Sequence, residues 1–242
     1  MSIAAYIPVR LQSSRLPKKA ILKIGDKTMI EHVYENTLKS KLVKYFFIAT
    51  CDLEIFHLMK KKGANVIMTS RKHRRATDRV YEAYSKTNKK IKKKISKIVM
   101  VQGDDPMLKS QMINEVILSN NNQHQVTNIC NTLNEKDSKD PNRVKVVVNK
   151  KFEAVYFSRE QISFKKKRNK KLYLKQGNIF CFTPKILKKY CSISESNLEI
   201  VESVDMNRYL ENDIKIKMVH SKHDTINVDT FKDLKKVRSL LK

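Results

Sequence analysis

The first half of the chain alternates short, almost wholly apolar runs with segments of helical period. The apolar runs cover residues 3–8, 46–50, 65–68 and 98–101. Strands that are apolar on both faces are typical of a parallel sheet with helices packed on both sides. The sequence therefore predicts an α/β fold, a three-layer sandwich with a mainly parallel central sheet. Such sheets bind ligands in the loops at the carboxyl ends of their strands.

The same periodicity places the remaining elements. Helices are predicted over residues 29–38, 53–62, 77–88, 111–118, 198–210 and 230–241. Further strands are predicted in the second half, over residues 144–148, 154–157, 179–182 and 214–219. We expect one domain over residues 1–242, with an excursion from the sheet over about 145–190.

The charge of the chain allows two interpretations. It carries 40 Lys and 11 Arg against 24 Asp and Glu, a formal charge of +27 at pH 7. This excess would attract nucleic-acid phosphates without sequence preference. The alternative is a compositional bias of the kind found in AT-rich genomes, because Lys, Asn and Ile make up 80 of the 242 residues. Arg, the residue suited to base readout, is scarce, and aromatic residues reach only 7%, which favours the bias.

No segment predicts a membrane or secreted protein. No apolar run approaches the roughly 20 residues that span a bilayer. The first residues lack the basic start and long apolar stretch of a secretory signal. The four cysteines are far apart and form no CxxC pair, so buried thiols in a reducing compartment are expected. We therefore expect a cytoplasmic protein with no membrane partner.

A basic loop follows the first apolar run, from Pro8 to Lys19. It contains Arg10, Ser13 and Arg15. Guanidinium groups match phosphate oxygens and a lysine adds a point charge, so the loop is a candidate cradle for a polyphosphate. A solvated basic loop in a basic protein is equally consistent with these residues.

Two aspartates are candidate ligands of a magnesium ion. Asp104 follows the fourth apolar run directly after Gly103, and Asp229 precedes the last predicted helix. Magnesium among phosphates usually takes one or two carboxylates. The alternatives are an ordinary turn at residues 103–106 and helix capping by Asp229 or Thr230.

Hydroxyls and arginines also lie before and at the start of the helix predicted over residues 77–88. Residues 69–79 include Thr77 and Arg79, and such groups at a helix N-terminus suit an anion or the edge of a base. His73, in the same stretch, is interpreted as a surface histidine.

In this order, the segments resemble the CMP-sugar synthetases that activate acidic sugars, and among them the 3-deoxy-manno-octulosonate (Kdo) cytidylyltransferases. Residues 8–19 are similar to the family's opening pattern, Pro-Ala-Arg-x-x-Ser-x-Arg-Leu-Pro-Gly-Lys. The other similar stretches lie within residues 29–35, 68–79, 101–104, 141–159 and 228–234. The resemblance spans nearly the whole chain.

The resemblance implies a nucleotide-diphospho-sugar transferase type of sandwich that dimerises through its excursion. It implies that CTP and an acidic sugar, most simply Kdo, react with Mg²⁺ as cofactor and release pyrophosphate. The implied nucleotide-binding residues are Pro8, Arg10, Ser13, Arg15, Lys19, Thr77, Arg79 and Gln102. The implied metal ligands are Asp104 and Asp229, and the implied catalytic residues are Arg10, Lys19 and Asp104. The implied sugar-binding residues are Arg159, Gln176, Asp205 and Arg208.

Two departures from the family pattern carry expectations of their own. Lys18 stands where the family has glycine, so Lys18 is strained if this position needs a positive φ. Gln176 stands where the family has histidine, and an amide cannot become cationic. The acceptor is therefore Kdo, an 8-amino form of Kdo, or an N-acylneuraminate-type acid. Two carboxylates in the site would repel nucleic-acid phosphates, which disfavours the nucleic-acid interpretation.

Overall fold

The computed structural model describes residues 2–162 and 173–241. The strands are β1 (Ser2–Val9), β2 (Lys23–Ile24), β3 (Lys27–Thr28), β4 (Tyr45–Thr50), β5 (Val66–Met68), β6 (Ile95–Val101), β7 (Val126–Leu133), β8 (Lys145–Val148), β9 (Ala154–Ser158), β10 (Tyr173–Phe182) and β11 (Ile216–His220). The helices are α1 (Met29–Leu38), α2 (Leu53–Lys61), α3 (Ala76–Asn88), α4 (Ser110–Ser119), α5 (Pro184–Ser192), α6 (Asn197–Glu202), α7 (Met206–Leu210) and α8 (Phe231–Leu240).

The main sheet has the strand order β11-β7-β10-β6-β1-β4-β5. Strands β6, β1, β4 and β5 run parallel to one another, and β7 runs parallel to β11. Strand β10 lies between β6 and β7 and is antiparallel to both. The mainly parallel sheet that the apolar runs predicted is therefore present.

Helices cover both faces of this sheet because successive strand residues point to opposite sides. On one face, Ala4 and Tyr6 of β1 pack with residues of α3, α5 and α7. On the other face, Ala5 and Ile7 pack with residues of α1, α2 and α4. This is the expected three-layer arrangement.

The second half departs from the sequence prediction in four places. Strand β7 has no counterpart among the predicted strands, and α5 none among the predicted helices. The helix predicted over 198–210 is two helices, α6 and α7, because Ser203 adopts a left-handed conformation with φ +52°. The predicted excursion over 145–190 includes β10, which lies inside the main sheet, and among its described residues the strands that leave the sheet path are β8 and β9.

The basic run at residues 165–171 lies outside the described residues. Among residues 2–162 and 173–241, no helix combines the length and apolarity that crossing a bilayer requires.

Candidate active site

A cleft of roughly 360 Å³ opens at the carboxyl ends of β1 and β6. Its walls come from the loop after β1, the start of α3, the turn after β6, strand β10 and the segment before α8. In an α/β sheet this end of the strands is where ligands bind, since loops and helix N-termini converge there. The cleft therefore lies where the sequence predicted a site.

Lys19 lies at the centre of the polar groups in this cleft. Its Nζ donates to Asp104 Oδ2 at 2.7 Å, to Asp229 Oδ1 at 3.1 Å and to the Val228 carbonyl at 3.1 Å. Burial disfavours the charge on Lys19, but the two carboxylates outweigh that cost and hold its pKa above the ordinary value. One ammonium group thus joins two carboxylates that are 125 residues apart in the chain.

Asp104 is held from a second direction by Asn178 of β10. The side-chain Nδ2 of Asn178 donates to Asp104 Oδ1 at 2.7 Å. The backbone carbonyl of Asn178 accepts from the backbone N–H of Gln102 at 2.9 Å. The register of β10 against β7 shifts between Gln176 and Phe180. Gly177 makes this irregularity possible, because a Cβ there would lie 2.3 Å from a side-chain carbon of Ile129.

Asp229 and Thr230 have different tasks. Thr230 caps α8 by accepting from the Asp233 amide, and Asp233 completes a reciprocal capping box. The carboxylate of Asp229 instead accepts from Arg15 Nη2 at 2.9 Å and from Lys19. Capping therefore explains Thr230 but not Asp229, whose carboxylate lies in the cleft.

The loop after β1 brings its cations to the cleft. Pro8, Arg10, Ser13 and Arg15 all line it, and Arg10 and Arg15 are exposed to solvent. Lys18 has φ +54° and ψ +24°, in the left-handed region that non-glycine residues seldom adopt. The strain expected from a lysine at the family's glycine position is therefore present.

The start of α3 contributes Arg79 and supports the cleft through Thr77. Arg79 is nearly buried, lines the cleft and donates to Thr69 Oγ1 at 2.6 Å. The hydroxyl of Thr77 is fully buried and donates to Asp205 Oδ2 at 2.6 Å. Gln102 lines the cleft directly. Thr77 thus reaches the cleft only through Asp205.

His73 also lines the cleft, half-buried rather than fully on the surface. Its Nε2 lies 2.5 Å from Glu82 Oε2. Burial works against the charge on Glu82, but hydrogen bonds from Lys86, the Ser70 amide and His73 lower its pKa to about 2. The contact with Glu82 therefore gives His73 a structural role.

Three of the four predicted sugar-binding residues line the cleft: Arg159, Gln176 and Asp205. Gln176 donates to Asn128 Oδ1 at 3.0 Å. The exception is Arg208, which does not line the cleft. It is buried in an ion pair with Glu199 and stacks over the Tyr190 ring, 4.0 Å from its centroid. Its charge is neutralised by Glu199, so a structural role fits Arg208 better than sugar binding.

Comparison with known proteins gives the family. The family profile described as Cytidylyltransferase matches residues 4–216. The chain belongs to the cytidylyltransferase family. It is 36% identical to 3-deoxy-manno-octulosonate cytidylyltransferase of Syntrophus aciditrophicus, over 99% of this chain and 97% of that protein. It is 34% identical to the enzyme of the same name from Geobacter sulfurreducens, over the full length of both.

Solved structures agree with this membership. The structure of CMP:2-keto-3-deoxy-manno-octonic acid synthetase complexed with CTP has a TM-score of 0.90 and 32% identity, covering 100% of this chain and 98% of that chain. A putative glucose-1-phosphate thymidylyltransferase of Bacillus anthracis shares the fold at TM-score 0.70 and 15% identity, covering 99% and 95%. The family and fold predicted from the sequence are confirmed.

The cytidylyltransferase cleft also holds residues that the sequence analysis did not assign. Asn142, Arg143, Lys175 and Asn178 line it. Asn142 accepts from Arg15, and Arg143 donates to Asp233 at 2.5 Å. These residues lie between the recognised motifs or at their edges, so motif spacing does not predict their place in the cleft. Asn178 reaches Asp104 because β10 pairs with β6.

The carboxylate oxygens of the cleft fit a magnesium ion that binds together with a nucleotide. Asp104 Oδ2 and Asp229 Oδ1 converge on one cation, the Lys19 ammonium, at 2.7 and 3.1 Å. Among the described residues no group of three or more His, Cys, Asp or Glu could hold a metal by itself. Magnesium sites completed by substrate phosphates need only one or two carboxylates, which is what this cleft offers.

Proposed function

We propose that this cytidylyltransferase transfers the cytidylyl group of CTP to 3-deoxy-manno-octulosonate, giving the CMP-sugar and pyrophosphate. The observation that carries the proposal is the Asp104–Lys19–Asp229 arrangement in a cleft lined by arginines. The names of the relatives support the same substrates, as does the CTP-complexed structure that this chain resembles at TM-score 0.90.

The chemistry requires positioning more than proton transfer. The anomeric oxygen of the sugar bonds to the α-phosphorus while the bond to the pyrophosphate oxygen breaks in line, and the hydroxyl proton leaves to solvent. Lys19 and Arg10 would neutralise the charge that develops on the departing pyrophosphate. Arg15 and Ser13 would orient the triphosphate.

Asp104 and Asp229 would hold Mg²⁺. When bound, the ion would supply charge neutralisation at the α-phosphate and favour ionisation of the attacking hydroxyl. Lys19 now neutralises both carboxylates, so its ammonium group is free to move to the phosphates only when another cation takes its place. Asn178 keeps Asp104 Oδ2 directed at that position, since it occupies Oδ1.

Arg159 and Gln176 would recognise the acidic sugar. Arg159 is anchored by the Glu202 and Pro141 carbonyls, and its guanidinium could pair with the sugar carboxylate. The neutral Gln176 leaves an 8-amino-Kdo or N-acylneuraminate-type acceptor as the second candidate, because it cannot add a positive charge beside the sugar.

The protein would act as a homodimer. Apolar side chains on β9 and on α6 stay exposed in the single chain, and Tyr156 of β9 contacts α6 through its hydrogen bond to Glu202 at 2.6 Å. These side chains are Val155 (57% exposed), Ile200 (56%) and Val201 (80%). Exposed apolar side chains on neighbouring elements are typical of a protein–protein interface.

The test is pyrophosphate release from CTP and Mg²⁺ with a panel of sugar acids. Release with Kdo supports the proposal, whereas release only with a neuraminate-type acid supports the second candidate. Asp104→Asn and Asp229→Asn should each abolish turnover while leaving the fold intact. The matched control is Asp213→Asn, an exposed residue outside the cleft, which should retain activity. No release with any acid, or full activity of either cleft variant, would contradict the assignment.

A further inference from the structure

The end of the sheet opposite the cleft carries a dense group of exposed lysines. Because α3 leads into β6 and α1 leads into β4, the connections 89–94 and 39–44 both enter the amino ends of parallel strands. The ladder places them together: Ile95 pairs with Ser2, and the Lys44 amide donates to the Ile3 carbonyl at 2.9 Å. Strand β10 ends at the same edge, where Phe182 pairs with Ile98, so Lys185 of α5 lies beside them.

We call this surface the lysine pole. All nine of its lysines are exposed. They are Lys39, Lys41, Lys44, Lys89, Lys90, Lys92, Lys93, Lys94 and Lys185. Strands β10, β6, β1 and β4 are neighbours, so three inter-strand spacings, about 15 Å, separate the outer members of the group.

The chain segments that build the lysine pole contain no acidic residue. Residues 36–51, 83–103 and 173–194 include neither Asp nor Glu. A bias toward lysine adds cations over the whole surface, but it does not by itself remove carboxylates from three separate segments that meet at one place. The acid-free zone ends on the β7 side, where His124 lies 3.1 Å from Glu153. The local charge is therefore not offset as it is around the cleft.

Exposed leucines lie on the elements that end at the lysine pole. Leu38 and Leu42, at the end of α1 and in the following connection, are 43% and 38% exposed. Leu118 on the last turn of α4 is 73% exposed. The two elements meet through a hydrogen bond of 2.7 Å between Ser40 and Asn114. Lysines with interspersed leucines match a surface that is anionic outside and apolar beneath.

We propose that the lysine pole docks the protein on membranes rich in anionic phospholipid. Lysines near such a surface each strengthen binding several-fold, and leucines enter the boundary between headgroups and acyl chains. Nucleic acid fits less well, because the segments of the pole contain no arginine and leucine side chains add nothing to phosphate contacts. This proposal departs from the sequence-based expectation that the protein has no membrane partner. The cleft, at the opposite end of the sheet, would face water.

The experiment measures co-sedimentation of the full-length protein with vesicles of phosphatidylcholine alone or mixed with phosphatidylglycerol. Binding is expected only to the mixed vesicles and should weaken as salt rises. A pole variant replaces five lysines of one connection by Gln: Lys89→Gln, Lys90→Gln, Lys92→Gln, Lys93→Gln and Lys94→Gln. A control variant removes the same charge elsewhere on the exposed surface: Lys150→Gln, Lys151→Gln, Lys232→Gln, Lys235→Gln and Lys236→Gln.

The pole variant should bind mixed vesicles at least about tenfold more weakly, with normal pyrophosphate release, and the control variant should bind nearly as the wild type does. Leu42→Asn together with Leu118→Asn should weaken vesicle binding without changing retention on duplex DNA. Equal losses in the pole and control variants would overturn the proposal, because binding would then follow net charge. Binding to DNA but not to vesicles, or to neither at physiological salt, would overturn it as well.

Discussion

Lys19→Met is expected to strengthen the binding of a divalent cation while sharply lowering turnover. In the wild-type cleft the Lys19 ammonium occupies the space between Asp104 and Asp229. A metal that takes the same two carboxylates must displace it. Met keeps most of the length of the side chain without its charge, so the carboxylates would be left with no cation between them.

The expected increase in metal affinity follows from the strength of the two ion pairs that Lys19 makes. Their side chains are 12% to 18% exposed, and the attraction of two unit charges near 4 Å is about 4 kcal/mol at an intermediate effective dielectric constant. Desolvation of the ammonium offsets much of this. A net value of about 1.5–3 kcal/mol is typical of a hydrogen bond to a charged group, which corresponds to roughly 10- to 100-fold in affinity.

The assay uses Mn²⁺ as a probe, with the free ion measured by electron paramagnetic resonance. The Lys19→Met variant should bind Mn²⁺ roughly 10- to 100-fold more tightly than the wild type in the absence of CTP. Its kcat should fall by about 10²–10³, as for the loss of one group that stabilises transition-state charge. Lys27→Met is the matched control, because Lys27 pairs with Glu35 on the surface at 2.6 Å and should change neither quantity. Equal or weaker Mn²⁺ binding by Lys19→Met would refute the competition between lysine and metal.

Three further predictions concern single residues around the cleft. Lys18→Gly should be more stable than Lys18→Ala by about 1 kcal/mol, because only glycine adopts φ +54° without strain; thermal unfolding would show it as roughly 2–4 °C, and equal stability would contradict it. Asn178→Ala should weaken Mn²⁺ binding about tenfold, since Asp104 loses the 2.7 Å hydrogen bond that orients it; unchanged binding would remove Asn178 from this role. Burial raises the pKa of Asp105 from 3.8 to about 6. The folded protein therefore holds a proton that the unfolded chain has lost, and stability falls as pH rises from about 4 to 6. Asp105→Asn should remove that slope and gain up to about 3 kcal/mol above pH 7 in denaturant titrations; a slope unchanged by the substitution would argue against it.

The fold was predictable where apolar patterning alone determines an element. Strands β1, β4, β5 and β6 are mostly apolar on both faces, so their composition alone predicts strands inside a covered sheet. Strand β7 is buried as well, but it contains Asn128 and Asn131, which do not fit an apolar pattern. Asn128 donates to the Gly177 and Ile179 carbonyls at 3.0 Å. Those partners lie about 50 residues away in the chain, so the local sequence does not show that the Asn128 side chain has hydrogen-bond partners.

The site was predictable to the extent that its residues belong to recognised motifs. Lys19, Asp104 and Asp229 belong to three such motifs, and the fold brings them together. Arg208 is a sugar-binding residue implied by the family resemblance, yet its partner Glu199 comes from another element and holds it in an ion pair away from the cleft. Motif spacing describes neighbours along the chain, whereas the choice between binding a ligand and binding another side chain is made across elements.

The distribution of arginine separates two populations within the +27 charge. Seven of the ten arginines that the structure describes line the cleft, but only two of its thirty-four described lysines do. On a solvated surface, replacing Arg by Lys changes the interactions of the side chain little, so a compositional bias toward lysine costs no stability there. In a cleft proposed to bind phosphates and a carboxylate, the planar fork of Arg is not replaceable by a point charge. Arginine therefore persists where geometry is needed, and in a lysine-rich chain its positions indicate the anion site better than the net charge does.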